Sequence, residues 1–165
     1  MLKSHGDDVS MLDRPDFQHV LSMVFQEKIP FCRMLGLKLE IVKRGARVSF
    51  AKQDFMLGNT KLKVLHGGVT AAVLDSIAGV AILLKMAEVD PKPDLETQLR
   101  EFGRLSTIDL RVDYLEPASA ERFVASANVT RLGKRIANVQ MALHDAAGKC
   151  VATGAAAFSL RTPRH

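Results

Sequence analysis

The feature that most constrains this chain is an apolar run, residues 69–84, that follows His66-Gly67-Gly68 and contains one acid, Asp75. Placed on a helix, the apolar residues of this run cover every side of the cylinder, which predicts a helix buried on all faces. A carboxylate inside such a helix is costly to bury without partners. We therefore predict a central core helix in which Asp75 is the most informative residue for function.

The size and charge of the chain narrow the class of protein. The apolar run is shorter than the roughly 20 residues that cross a bilayer, and Asp75 interrupts it, so we predict no membrane span. The charged residues 1–16 lack the order of a secretory signal, which favours a cytoplasmic protein. A net charge of +5 favours an anionic ligand. With one tyrosine and no tryptophan, the chain has few platforms for stacking bases, whereas coenzyme A remains possible.

Residue periodicity predicts the order of the elements. An amphipathic helix over residues 16–28, capped by Asp16, ends at Pro30, with a further turn before Gly36. The alternation over 37–42 and 46–50 predicts a hairpin turning near Gly45. Residues 54–65 are predicted to form a loop, and the core helix is predicted to end near Glu88. Residues 95–105 are predicted to be an insertion between the core helix and the following strands, with the potential for a short helix. Four strands are predicted after it: 106–115, 122–130, 136–144 and 149–160.

The first of these four strands has two different faces. Ile108, Leu110, Val112 and Tyr114 alternate with Thr107, Asp109, Arg111 and Asp113. Consecutive hairpins imply an antiparallel sheet. The expected fold class is α+β, with about six antiparallel strands wrapped around one long buried helix and an N-terminal amphipathic helix beside them. The exposed edges of such a sheet suit pairing in a homo-oligomer.

These residues and their order resemble the hotdog fold and, within it, the PaaI-like acyl-coenzyme A thioesterases. The resemblance covers residues 31–160. Its most specific elements are Gly58-Asn59, His66-Gly67-Gly68, Asp75 nine positions after the histidine, Thr107-Ile108-Asp109-Leu110, and Tyr114-Leu115-Glu116-Pro117-Ala118. The implied division of the chain is an N-terminal extension and helix over 1–30, a hotdog thioesterase domain over 31–160 and a tail over 161–165. The segment between Lys85 and Arg104 is longer than in many relatives.

The resemblance implies a role for each site residue. Asp75 would be the catalytic carboxylate, as general base or as nucleophile, and the backbone amides of Gly67 and Gly68 would polarise the thioester carbonyl. Asn59 would help to hold the water or the thioester, and Thr107 would lie on the facing strand. His66 is expected to shape the loop, although in a related dehydratase it would be the base.

The elementary chemistry agrees with these roles. The amides and the positive dipole at a helix start suit a developing oxyanion. Asp75 lies about two turns into the helix, so we predict that the groups converge across a dimer interface.

Cations at the predicted connection between strands 122–130 and 136–144 offer an anchor for coenzyme A. Arg131, Lys134 and Arg135 flank Gly133 at a predicted strand connection, where they suit phosphate groups or form a solvated basic turn. No metal is expected, because Cys32 and Cys150 lack metal-ligand spacing and His5, His19 and His144 have no partners that suggest a site. No cofactor is expected either, since the coenzyme A thioester would be the substrate. The predicted function is hydrolysis of fatty-acyl or aryl-acyl coenzyme A by a homodimer or homotetramer. The alternatives are a hotdog hydratase or dehydratase, a non-catalytic acyl-coenzyme A binding module, and a structural oligomer.

Overall fold

The computed structural model describes residues 11–43, 45–92 and 94–161. Its α-helices are α1 (Pro15–Met23), α2 (Pro30–Met34), α3 (Gly67–Val89) and α4 (Leu95–Phe102), and a π-helical segment, Val24–Lys28, continues α1. Its strands are β1 (Lys38–Val42), β2 (Gly45–Ala51), β3 (Leu57–Asn59), β4 (Val64–Leu65), β5 (Ser106–Tyr114), β6 (Arg122–Leu132), β7 (Ile136–Asp145) and β8 (Cys150–Ser159). Residues 1–10, Arg44, Pro93 and residues 162–165 of the predicted tail lie outside this description.

A six-stranded antiparallel sheet forms the main layer, in the order β1-β2-β6-β7-β8-β5. This confirms the predicted α+β class and the predicted strands. β5 and β1 are the two edges. The small residues of β8 allow close packing, since a Cβ added to Gly154 would lie 3.4 Å from Cδ1 of Leu74 on α3. A side chain of the central helix therefore lies in van der Waals contact with the sheet at this glycine.

α3 is the centre of the core. It spans 23 residues, and Val73, Leu74, Ile77, Val80 and Leu83 are among its residues with no exposed surface. At 23 residues and a mean hydropathy of 1.9, the helix is long and apolar enough to cross a bilayer, so our argument from length was wrong. In this fold α3 packs against the sheet instead, and 61% of its most apolar stretch is buried.

The N-terminal helix joins the same core through Phe17, Leu21 and Phe25. Its predicted cap was wrong: the N-cap is Arg14, and Asp16 lies inside the first turn, where its carboxylate accepts a hydrogen bond from Arg14 Nη2 at 2.6 Å. This contact and the charge of Arg14 hold the pKa of Asp16 below its ordinary value. The extra turn was predicted correctly as α2, and Gly36 follows it with a φ of +63°.

The segment read as a loop before the core helix is more ordered than predicted. β3 and β4 form a separate two-stranded sheet, preceded by a 3-10 turn at Asp54–Met56. Two strands of two and three residues show too little alternation to be recognised in a sequence. This small hairpin leads directly into α3 and positions its first residues.

A bulge in β5 changes which of its residues face the helix. Thr107 pairs with Phe158 of β8 and Asp109 with Ala157, so Ile108 has no partner of its own and remains 58% exposed. The buried ring of Phe158 marks the inner face, and Thr107 therefore points inward. The predicted regular alternation is therefore broken at this end of the strand, because the bulge at Ile108 shifts the register by one residue.

Candidate active site

The start of α3 is anchored on both sides by backbone hydrogen bonds. The N–H of Leu65 donates to the carbonyl of Ala118 at 3.0 Å, and the N–H of His66 donates to the carbonyl of Met56 at 2.8 Å. A Cβ on Gly58 would lie 2.8 Å from Cα of His66, so only glycine lets β3 pass this close. The segments that carry the resemblance, Gly58-Asn59 and Tyr114–Ala118, thus share one physical task, which is to position the start of the helix.

His66 is the N-cap of α3. Its Nδ1 accepts a hydrogen bond from the N–H of Gly68 at 2.9 Å. An acceptor at Nδ1 places the proton of the neutral ring on Nε2. The N–H of Gly68 is therefore already engaged, whereas the N–H of Gly67 has no hydrogen-bond partner among the described residues. Of the two amides predicted for the thioester carbonyl, Gly67 carries the available one.

Tyr114 is a site residue to which the resemblance assigned no role. Its hydroxyl, at the end of β5, donates to the carbonyl of Gly67 at 2.8 Å. A Cβ on Gly67 would lie 3.0 Å from that hydroxyl, which explains why a glycine suits this position. Tyr114 is the single tyrosine of the chain and lies within the motif Tyr114–Ala118, on which the resemblance partly rests. These two features could have marked it as a site residue from the sequence.

Asp75 and Thr107 are in contact, as the resemblance implied by placing Thr107 on the strand that faces the carboxylate. The hydroxyl of Thr107 donates to Oδ1 of Asp75 at 2.9 Å. Asp75 is half-buried, and Thr107 is exposed at the edge strand. This hydrogen bond orients the carboxylate and leaves lone pairs on both of its oxygens for a further donor, such as water.

Helix α2 contacts α3 at Ser76, the residue that follows Asp75. Cys32 Sγ is 3.9 Å from Oγ of Ser76, which follows Asp75 on α3. The Ser76 hydroxyl donates to the carbonyl of Ala72 at 2.8 Å. Cys32 is buried, and burial raises the pKa of its thiol. This thiol is thus packed as a small apolar group beside the site.

Asn59 lies in the β3–β4 hairpin, beside the start of α3. Its side-chain Oδ1 accepts a hydrogen bond from the N–H of Leu62 at 3.0 Å, which closes the turn between the two strands. The side-chain nitrogen makes no hydrogen bond within the described part of the chain. Asn59 is exposed, so this amide nitrogen is accessible to a ligand.

The two halves of the site are separated within one chain. Asp75 follows Gly67 by eight residues of continuous helix, which is about 12 Å along the axis. A thioester carbonyl held at the Gly67 amide would therefore be too far from the Asp75 carboxylate of the same chain. β5 runs antiparallel to α3 and contacts both halves, Asp75 through Thr107 and Gly67 through Tyr114.

The predicted coenzyme A anchors line a depression of about 620 Å³ at the β6–β7 turn. Arg131, Lys134 and Arg135 are exposed, and none of the three makes an ion pair within the described ranges. The turn itself is closed by a hydrogen bond from the N–H of Gly133 to the carbonyl of Ile136 at 2.9 Å. The three charges are therefore held on an ordered turn and are free to meet an anion.

This depression lies on the opposite face of the sheet from Asp75 but at the same end. Thr107 pairs with Phe158, and Phe158 pairs with Ala137 beside the turn, so two strand spacings, about 10 Å, separate Thr107 from Ala137. Asn138, which lines the depression, points to the outer face. An extended ligand can reach both places by passing over the rim of the sheet.

A second depression, of about 660 Å³, lies between the C-terminal half of α3, the β1–β2 hairpin and β6. Ala81 and Leu84 line it from the side of α3 that faces away from Asp75. We assign it no part in the chemistry. Among the described residues no group of three His, Cys, Asp or Glu side chains is placed to hold a metal ion.

Comparison with known proteins adds independent information. The family model of the thioesterase superfamily matches residues 62–152, a segment that contains Gly67, Asp75, Thr107 and the β6–β7 turn. Asn59 lies just before it. The medium/long-chain acyl-CoA thioesterase YigI of Escherichia coli is 37% identical over 139 residues, which are 82% of this chain and 88% of that protein.

Solved structures agree with this assignment. A protein from Shewanella oneidensis related to the thioesterase superfamily has a TM-score of 0.81 at 30% identity, over 88% of this chain and 95% of that one. A protein from Syntrophus aciditrophicus has a TM-score of 0.76 at 31% identity, over 86% and 94%. These similarities confirm the predicted hotdog fold and the resemblance on which the enzyme class was inferred. The chain belongs to the thioesterase superfamily.

Proposed function

We propose that this protein is an acyl-coenzyme A thioesterase that hydrolyses fatty-acyl coenzyme A of medium to long chain to the free acid and coenzyme A. The observation that carries the proposal is the hydrogen bond from the Thr107 hydroxyl to the Asp75 carboxylate on α3, which orients that carboxylate. The similarity to a relative named as a medium/long-chain acyl-CoA thioesterase supports the substrate class.

In the proposed reaction, Asp75 acts as a general base. It takes a proton from a water molecule, whose oxygen attacks the thioester carbonyl carbon. The N–H of Gly67, at the positive end of the helix dipole, stabilises the oxyanion that forms. The C–S bond then breaks, and coenzyme A leaves as the thiol after taking up a proton. Direct attack by the carboxylate, giving an anhydride that water opens, is the covalent variant of the same step.

The separation of about 12 Å between Gly67 and Asp75 supports a shared site in a homodimer. β5 is an edge strand, and it contacts Asp75 at one end and Gly67 at the other. Antiparallel pairing of two β5 strands about a two-fold axis would bring the Thr107 end of one strand to the Tyr114 end of the other. Asp75 would then lie beside Gly67 of the partner subunit. We propose this homodimer as the cytoplasmic active unit, assembled further into a homotetramer.

The β6–β7 turn is the proposed phosphate anchor. Its three cations make no ion pair within the described ranges. The depression beside them lies on the outer face of the sheet next to Ala137, which is about 10 Å from Thr107 by strand spacing. Coenzyme A is long enough to extend from the thioester over the sheet rim to these charges. The cations would hold its phosphates by charge-assisted hydrogen bonds.

The hydrogen bond at His66 argues against the hydratase alternative. A base for proton abstraction needs a free lone pair, and the lone pair of Nδ1 already accepts from Gly68.

A binding module without catalysis would retain acyl-coenzyme A and release no thiol, so the products of the reaction distinguish it from the enzyme.

The test is release of free thiol from purified protein and a panel of acyl-coenzyme A substrates, with Asp75→Asn as the variant. We expect hydrolysis by the wild type and a fall in kcat of about 10³-fold in the variant, because a positioned base contributes about 10²- to 10⁴-fold. Glu88→Gln is the matched control, since Glu88 is an exposed carboxylate on the same helix. No turnover with any substrate, or equal turnover by both variants, would refute the proposal.

A further inference from the structure

Helix α4 covers the part of α3 that follows Asp75. Gly79 lies one turn, about 6 Å, beyond Asp75 on the same face of α3. A Cβ placed on the buried Gly79 would lie 3.7 Å from Cε2 of Phe102, the last residue of α4. The half-buried Phe102 ring therefore lies over the α3 backbone at a position where glycine leaves space above the helix.

The character of this helix face changes at Asp75. Toward the helix start this face is more open to solvent, since Gly68 is exposed and Ala71 is half-buried. Beyond Asp75, Gly79, Ile82 and Met86 follow at helical spacing and provide an apolar surface. An acyl chain avoids water, whereas coenzyme A is anionic. The acyl chain of a substrate whose carbonyl lies beside Asp75 is therefore expected to run toward Gly79, where it meets Phe102.

α4 is held in place by its own contacts at the far end. Asp94 caps the helix, accepting hydrogen bonds from the N–H of Thr97 at 2.8 Å and from its hydroxyl at 3.0 Å, and these bonds lower the pKa of Asp94. The fully buried Gln98 accepts a hydrogen bond from the N–H of Lys92 at 3.0 Å. With its N-terminal end fixed in this way, α4 presents Phe102 at a defined place.

We propose that Phe102 is a specificity-determining residue whose ring closes the acyl groove one turn beyond the catalytic carboxylate. This inference rests on the proposed thioesterase function. Short acyl chains end before the ring, whereas longer chains have to bend around it or displace it. The segment between α3 and β5, which contains α4, thus determines chain-length preference and takes no part in the hydrolytic step.

The experiment compares kcat/KM for palmitoyl-coenzyme A and butanoyl-coenzyme A, whose acyl chain is short enough to end before the ring. Phe102→Ala should raise the palmitoyl-to-butanoyl ratio about tenfold, the scale on which an apolar pocket discriminates chain length. Adding Gly79→Leu in the Phe102→Ala background refills the space from the opposite side and should return the ratio to the wild-type value or below it. Phe102→Leu, which retains an apolar contact and preserves folding if alanine does not, should shift the ratio in the same direction by less.

Leu95→Ala is the matched control, because Leu95 packs against the core from the other end of α4. An equal shift in this variant would show that loosening α4, and not the Phe102 ring, changes the preference, and would overturn the inference. An unchanged ratio in Phe102→Ala, or in Phe102→Leu where the alanine variant does not fold, would also overturn it. Wild-type protein that hydrolyses no acyl-coenzyme A would instead refute the proposed function, so the two failures are distinguishable.

Discussion

The start of α3 and the β6–β7 turn both carry polar groups that we assign to the substrate, but they are built differently. Around α3 the groups are bonded within the protein: Thr107 to Asp75, Gly68 to His66 and Tyr114 to Gly67. At the β6–β7 turn the backbone is closed, whereas the three cations have no ion-pair partner within the described residues.

This difference matches two functions, stabilising a transition state and binding a charged ligand. Groups that act on a transition state have to be oriented before the substrate arrives, and internal hydrogen bonds do this. Charges that attract a flexible anionic ligand need only be exposed and close together. Disturbing the first region should therefore lower kcat, and disturbing the second should raise KM.

After Asp75→Asn, the largest effect expected in the first region comes from Gly67→Ala. The new Cβ would lie 3.0 Å from the Tyr114 hydroxyl and would occupy the space through which the thioester approaches the Gly67 amide. We expect kcat to fall about 100-fold, because a displacement of about 1 Å at a reacting centre has this effect. Gly103→Ala is the control, since its Cβ would find ordinary contact at 3.5 Å from the Arg100 carbonyl.

The same variant tests whether the site is shared between subunits. Asp75→Asn and Gly67→Ala proteins, each nearly inactive, should form mixed dimers in which one of the two sites has both wild-type residues. Thiol release by co-expressed subunits should then recover to about half of the wild-type rate per mixed dimer. Absence of any recovery in mixed dimers verified by differential tagging would contradict the shared site.

A smaller effect is expected when the orientation of Asp75 is lost. Thr107→Val keeps the shape of the side chain but removes the hydroxyl that donates to Oδ1. We expect kcat to fall about tenfold, the scale of one hydrogen bond to a charged group. Thr107→Ser restores the donor and should retain most of the activity. Equal rates in all three proteins, measured by thiol release, would leave the hydrogen bond without a catalytic role.

The smallest effect is expected at the β6–β7 turn. Replacing Arg131, Lys134 and Arg135 together by alanine should raise KM for acyl-coenzyme A several-fold, about tenfold at low salt, and leave kcat unchanged. The wild-type KM should rise with salt, and this dependence should weaken in the variant. The matched control replaces three exposed cations elsewhere, Lys28, Lys38 and Arg47, with the same change of net charge. Equal KM values for the two triple variants would show that position at the turn is irrelevant.

Much of the fold was predictable because its signals are local. The apolar run defined α3, and alternation defined the main strands, since both patterns follow from the geometry of a single element. The bulge at Ile108 and the hairpin of β3 and β4 were missed. A bulge is a relation between two strands, and the strands of the small hairpin are too short to show alternation.

The sequence by itself determined the central helix, the single acid within its apolar run and the family to which the chain belongs. Only the tertiary structure decided which groups meet. It turned Thr107 toward Asp75 through the bulge, assigned Tyr114 to Gly67, engaged the Gly68 amide with His66, and placed Phe102 over Gly79. The physical reason is that periodicity reports which face a residue occupies on its own element, whereas a contact depends on how two elements distant in sequence pack together.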